Sequence, residues 1–301
     1  MSRLSPNLQG AVFMILSMAA FTLNDTFVKL AAGHVPLFQI VFLRGLSTTA
    51  MLVVTVYLAG GLRFQIPRRD RGRVALRTFF EAATVVAFLV ALTNMPLANA
   101  SAILSALPLF VTLGAALFLG ERVGWRRLSA IVVGFMGVML IVQPGTDGFN
   151  IYALSALLAA LLVTGRDLVT RTLSPEVPSM TVAVITAAAV CVMGGILSTF
   201  ETWVQLTLRD AAYIFASSIF IIGGYVFSIM VMRIGEIDFT SPFRYTALVW
   251  ALVLGLIVFG EWPNTLALIG AAIVVATGLF TFWRERAVKG EIRDVADGGR
   301  I

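Results

Sequence analysis

Residues 21 to 32 read FTLNDTFVKLAA and close an apolar stretch that begins at Leu8, so Asn24, Asp25 and Lys29 fall where a helix would meet hydrocarbon. A charge near the bilayer centre costs at least a few kcal/mol, so such residues mark a pathway, a partner or both. Arg44 lies in the next apolar stretch; Arg77 and Glu81 stand four apart on one helical face; Arg166 and Asp167 are adjacent; Arg244, Tyr245 and Trp250 follow late in the chain beside Phe243. Ion pairing, solute holding and proton exchange are the chemistry open to these types. A guanidinium with aromatics suits a planar or carboxylate-bearing solute. The candidate substrate-binding or gating residues are Asn24, Asp25, Arg44, Arg77, Glu81, Asp167, Arg244, Tyr245 and Trp250.

Catalysis is disfavoured. The chain has no CxxC, HExxH or Walker pattern, and its one histidine, His34, lies in a connection between apolar stretches, where solvation is its expected state. No catalytic residue, metal ligand or cofactor is expected, and the protein is read as a non-enzyme. The missing nucleotide domain excludes an ATP-driven pump. A passive channel and a membrane-embedded enzyme remain as alternatives from other classes. The single Cys191 excludes an internal disulfide.

The elements that must carry these residues follow from composition. Of 301 residues 59% are hydrophobic and 13% charged, with mean hydropathy +0.94. Apolar stretches of about twenty residues, each able to cross a ~30 Å hydrocarbon layer as a helix, fill most of the chain. Spans are expected near Leu8 to Ala32, Pro36 to Gly60, Gly72 to Asn94, Ala98 to Gly120, Gly124 to Val142, Asn150 to Leu173, Pro178 to Thr199, Asp210 to Gly235, Phe239 to Gly260 and Pro263 to Trp283. The first stretch is too long for a cleaved signal peptide and is expected to stay as a span. Pro108 is expected to kink the fourth. Membrane lipids are the implied surroundings.

Arginines sort the loops. Arg63, Arg68, Arg69, Arg71 and Arg73, then Arg122, Arg126 and Arg127, then Arg284, Arg286, Lys289 and Arg293 all fall on one side, whereas TNMPLAN, QPGTDGFN and GEWPN carry no Lys or Arg. Positive loops stay cytoplasmic, which predicts both termini cytoplasmic in a bacterial-type inner membrane. The net charge of +6 is spread over these loops with no large soluble basic face, so nucleic acid is not an expected partner. Trp125, Trp203, Trp262 and Trp283 lie near span ends, as an interfacial belt requires.

The chain also repeats itself. DTFVKLAAGHVP, from Asp25, aligns without gaps on DLVTRTLSPEVP, from Asp167, so Lys29 meets Arg171; Gly120-Glu121 meets Gly260-Glu261. Two halves of five spans each, residues 1–145 and 146–301 with the basic tail, must enter the membrane from opposite sides. At about 1.5 Å per residue, Asp25 and Arg44 lie roughly 7 and 6 Å to one side of the midplane, and Asp167 and Arg244 roughly 9 and 7 Å to the other. Asp25 is therefore expected to pair with Lys29 or Arg44, as a structural staple or as a gate. Glu81 falls nearly at the midplane, where it could bridge to Arg77, hold a solute ammonium or exchange a proton. Lys29, Arg44, Arg77, Arg166 and Arg244 outnumber Asp25, Glu81 and Asp167, which favours a solute with an anionic group.

The segment from Ala91 to Gly145, with PLANASAI, PLFV and LGERV, resembles the end of an EamA domain of the drug/metabolite transporter superfamily. The resemblance covers the whole chain and is weakest from Phe239 to Trp262. It implies an all-α integral membrane protein of about ten transmembrane helices in two inverted five-helix repeats, a secondary-active carrier that moves a small organic metabolite by alternating access. Export of amino acids or related metabolites is the expected activity; uptake of a vitamin or nucleoside-like metabolite, such as riboflavin or S-adenosylmethionine, is the alternative.

Overall fold

The computed structural model describes residues 5–58, 66–121, 123–145 and 149–298. Ten helices among them are long and apolar enough to cross a membrane. They are α1 (Pro6–Ala31), α2 (Leu37–Leu58), α3 (Arg68–Asn94), α4 (Leu97–Phe118), α5 (Trp125–Val142), α6 (Tyr152–Arg171), α7 (Ser179–Ser198), α8 (Leu208–Ile234), α9 (Ser241–Phe259) and α10 (Thr265–Gly298). No strand occurs among the described residues. Arg63 and Arg122, two of the loop arginines, lie outside them.

Local chemistry sets the ends. Ser5 caps α1 through its hydroxyl, with Pro6 at the first helical position. Thr207 and Asp210 form a reciprocal capping box at the start of α8. Helix α4 breaks at Ala106 into Leu97–Ser105 and Leu107–Phe118. Pro108 explains the break: it donates no N–H and its ring crowds the carbonyl one turn earlier. Helix α3 begins at Arg68, one turn before the expected Gly72, because Arg69, Asp70 and Arg73 find partners there.

The helices pair across the halves. Helix α1 packs along α8 and α3 along α6, two contacts that exchange under a two-fold axis in the membrane plane; α2 with α7, α4 with α9, and α5 with α10 are each their own image. This is the packing of inverted repeats. Small residues allow it. Gly45 lies against the Cys191 backbone and Gly194 against Val41 and Phe42, so α2 and α7 touch almost backbone to backbone. Gly137 on α5 and Gly270 on α10 do the same. Cys191 is a free, buried thiol in that α2–α7 seam. Trp125, Trp203, Trp262 and Trp283 are exposed near the ends of the membrane-crossing stretches, as expected of interfacial anchors.

With ten crossings, the start of α1 and the last turns of α10 lie on one side, the terminal face.

Candidate functional site

Six helices, three from each repeat, bring the membrane-embedded charges together. Helix α3 places Arg77 and Glu81 one turn apart and α6 places Arg166 opposite them. Arg166 Nη1 donates to Glu81 Oε2 at 2.9 Å, and its Nε donates to Asp167 Oδ1 at 2.9 Å. The expected Arg77–Glu81 bridge is absent among the described residues. Arg77 Nη1 instead donates to the Thr186 hydroxyl on α7 at 2.9 Å, and Thr78 joins the same hydroxyl at 3.5 Å. Thr186 is the inverted-repeat counterpart of Arg44. A hydroxyl offers a lone pair and no charge, so Arg77 keeps most of its electrostatic reach.

Helices α1, α2 and α8 complete the ring. Asn24 donates to Asp25 Oδ1 at 2.8 Å while its own carbonyl oxygen is buried without a partner among the described residues. Arg44 lies within electrostatic reach of Asp25 and of Tyr225, with no Asp25–Arg44 contact as short as an ion pair among the described residues. Tyr225 on α8 also lies within electrostatic reach of Glu81, Arg166 and Arg77, and its ring meets Phe21 edge-on at 5.3 Å. One turn from the charges, the Thr48 and Thr84 hydroxyls are buried with no partner among the described residues. A buried polar group left unpaired costs ~1–3 kcal/mol, so these atoms are poised to bond a water or a solute.

Several residues stand elsewhere than the sequence suggested. Lys29 does not turn to Asp25. Its ammonium donates to both oxygens of Glu261, at 2.7 and 2.8 Å, and to the Met95 carbonyl at 2.8 Å. His34 is exposed in the α1–α2 connection, and its ring also meets the Asp210 carboxylate at 2.9 Å. The aromatic group on α9 is dispersed: Tyr245 is buried against Gly278 and Phe282 of α10, Trp250 is half-buried, and Arg244 is exposed without an ion pair among the described residues. Asp167 and Arg244 therefore do not form a counterpart of the Asp25–Arg44 relationship. Arg166, Thr186, Tyr225 and Glu261 were absent from the sequence-based candidates. The place of Arg166 inside an apolar span, beside Asp167, was a usable signal, whereas nothing along α8 singles out Tyr225.

The EamA-like transporter family model matches the chain twice, over residues 8–143 and 150–283. The chain belongs to the EamA-like transporter family. It is a membrane transporter of the drug/metabolite type. Similar proteins include the S-adenosylmethionine uptake transporter of Rickettsia prowazekii, 26% identical with 93% of this chain and 94% of that protein covered. The riboflavin transporter of Rhizobium johnstonii is 30% identical, with 92% and 91% covered. The pseudopaline exporter CntI of Pseudomonas aeruginosa is 26% identical, with 88% and 93% covered. A crystal structure at 18% identity matches with a TM-score of 0.66 over 93% of this chain and 99% of that one, a likeness of fold.

Proposed function

We propose that this EamA-family protein is a secondary-active carrier that moves a small organic metabolite, chemically unchanged, through the polar ring between its two repeats. The observation that carries the reading is the ring itself: charged and unpaired polar groups from α1, α2, α3, α6, α7 and α8 gathered at the repeat interface, where carriers of this architecture hold their solutes. The uptake reading has specific support in the relatives named for S-adenosylmethionine and riboflavin, beside one named for export.

The solute carries at least one anionic group. Lys29 is taken by Glu261, and Arg166 by Glu81 and Asp167, which leaves Arg44, Arg77 and Arg244 without a carboxylate in contact among the described residues. Arg44 and Arg77 are the proposed solute cations of the ring and Arg244, exposed on α9 outside it, is a further proposed solute contact, with Asn24, Thr48 and Thr84 as neutral hydrogen-bonding groups. Asp25, bonded only to an amide among the described residues, is the proposed proton carrier. Glu81 is less suited, because a carboxylate held by a guanidinium gives up that bond when protonated. The arginine-rich terminal face is proposed to be cytoplasmic, in a bacterial-type inner membrane.

Purified protein in liposomes tests the reading. A panel of amino acids, pseudopaline, riboflavin and S-adenosylmethionine is screened by thermal shift, since a ligand of the native state raises its stability by mass action. Hits are then assayed for saturable counterflow. Saturation without counterflow, or chemical alteration of the hit, overturns the carrier reading.

A further inference from the structure

The repeat places Lys29 over Arg171 and Glu121 over Glu261, and the fold pairs them crosswise. Lys29 from the first half meets Glu261 from the second at 2.7 Å, and Arg171 from the second half meets Glu121 from the first at 3.2 Å. One pair sits at each membrane face: Arg171–Glu121 at the terminal face, Lys29–Glu261 at the opposite one.

The two pairs are related by the two-fold but are not in the same condition. Lys29 is 9% exposed and Glu261 28%; Arg171 and Glu121 are 48% and 55% exposed. The buried pair is part of a larger closure. Lys29 also bonds the Met95 carbonyl at the α3–α4 junction and lies 4.8 Å from the centre of the Phe259 ring, while Glu261 Oε2 accepts the Leu97 N–H at 3.1 Å. Three chain segments are thereby drawn to one point: the end of α1, the α3–α4 junction and the α9–α10 connection. On the terminal face the counterpart of Met95 is Gly235, at the α8–α9 junction. Arg171 does not reach it in the described contacts; Gly235 packs on Gly10 of α1 instead.

A second set of contacts, one at each face, differs in this respect. Asp70 accepts from Ser174 at 2.5 Å on the terminal face, and Asp210 meets His34 at 2.9 Å on the opposite face. In both the carboxylate is buried, Asp70 fully and Asp210 at 8% exposure, so these contacts are alike on the two faces and behave as fixed joints between the repeats. The inequality between faces is sharpest at the Lys29 and Arg171 pairs.

We propose that Lys29–Glu261 and Arg171–Glu121 are reciprocal locks of the two faces, and that the conformation described here has the first sealed and the second slack. In the opposite state the Lys29 cluster parts, and Arg171 tightens on Glu121 and on the Gly235 carbonyl. The proposal rests on the carrier reading, because only a protein with two alternately open faces needs two such locks. Charge-assisted bonds suit a lock of this kind, being strong when dehydrated and weak once water enters.

The test uses the full-length protein in oriented membrane vesicles, with Cys191→Ala and a reporter Ser47→Cys near the polar ring, labelled by a membrane-impermeant maleimide from either side. Glu261→Gln, which keeps an acceptor for Leu97, is expected to raise labelling from the opposite face and lower it from the terminal face, each by about fivefold or more. Glu121→Gln is expected to shift the ratio the other way. Lys29→Cys/Glu261→Cys, bridged with a short bis-thiol reagent in the absence of the reporter, is expected to stop solute flux reversibly. Unchanged labelling ratios in both glutamine variants overturn the locks, as does full flux through the bridged protein. Loss of folded protein in the glutamine variants, with the bridged protein still transporting, also overturns them, since the pairs are then only structural. A failed carrier reading is distinguishable, because the parent then shows no counterflow with any solute whatever the labelling ratios.

Discussion

Arg166 bridges two carboxylates: Nη1 lies 2.9 Å from Glu81 Oε2 on α3, and Nη2 lies 2.8 Å from Asp167 Oδ1 on its own helix. With side-chain exposures of 23% for Arg166 and 16% for Glu81, the bridge is held where water is scarce, and it ties α3 to α6 across the repeats. Its three-way geometry makes the partners unequal.

Removing Arg166 strands two carboxylates, whereas removing Glu81 leaves Arg166 its Asp167. Arg166→Gln is therefore expected to destabilise the protein more than Glu81→Gln, by about 1–3 kcal/mol against about 1 kcal/mol, below the cost of breaking a fully buried pair because both groups keep some exposure. Arg166→Lys keeps the charge but offers no planar fork to hold both oxygens, so it should fall between the two. Unfolding midpoints in detergent measure the order, and equal midpoints for the Arg166→Gln and Glu81→Gln variants would contradict the bridge.

Arg244 is exposed and has no ion pair with the described residues. As a solute contact, its substitution should act on binding and leave the fold alone. Arg244→Gln is expected to raise the solute KM roughly tenfold, the loss of a charge-assisted hydrogen bond worth about 1.5 kcal/mol, with an unfolding midpoint near the parent's. Arg244→Lys should recover only part of that. A parental KM in Arg244→Gln removes it from the site.

The sequence made the ten helices legible because hydrocarbon demands long apolar runs and the arginine-rich loops punctuate them. The inverted repeat was legible in two short alignments. Pairings inside the membrane were less so. Depth along a helix follows from counting residues, but azimuth depends on helix packing, which is why Arg77 turned to Thr186 on α7 instead of Glu81 on its own helix. Lys29 shows the other difficulty. Its partner Glu261 lies in the α9–α10 connection, outside any count of intramembrane charge, and only the crosswise packing of the repeats brings the two together.

The α5–α10 seam supplies a structural control. A Cβ at Gly137 would stand 2.9 Å from the Gly270 carbonyl oxygen and from Ile273, with backbone on one side that cannot give way. Gly137→Leu should cost about 1–3 kcal/mol by overpacking and lower the yield of folded protein. The seam lies apart from the polar ring, so surviving protein should keep the parental KM. A changed KM at normal yield would mean that the seam moves during transport.

Asp25 and Arg44 carry the last prediction. They interact at a distance longer than a contact ion pair, and the only direct partner of Asp25 among the described residues is the Asn24 amide. A carboxylate in that position is free to gain and lose a proton as its neighbour's charge is screened by solute. Asp25→Asn should then abolish proton-driven accumulation while solute counterflow persists, because counterflow needs the site but not the proton. Arg44→Gln removes the charge that favours the ionised carboxylate and should impair both accumulation and binding. If the two residues act on each other, the double variant Asp25→Asn/Arg44→Gln should transport better than the product of the single effects predicts, since neither charge is left alone in hydrocarbon. The measurement is a double-mutant cycle on initial counterflow rates, with folded yield followed in parallel. Strict additivity would separate Asp25 from Arg44, and proton-driven accumulation by the Asp25→Asn protein would move the proton to another group.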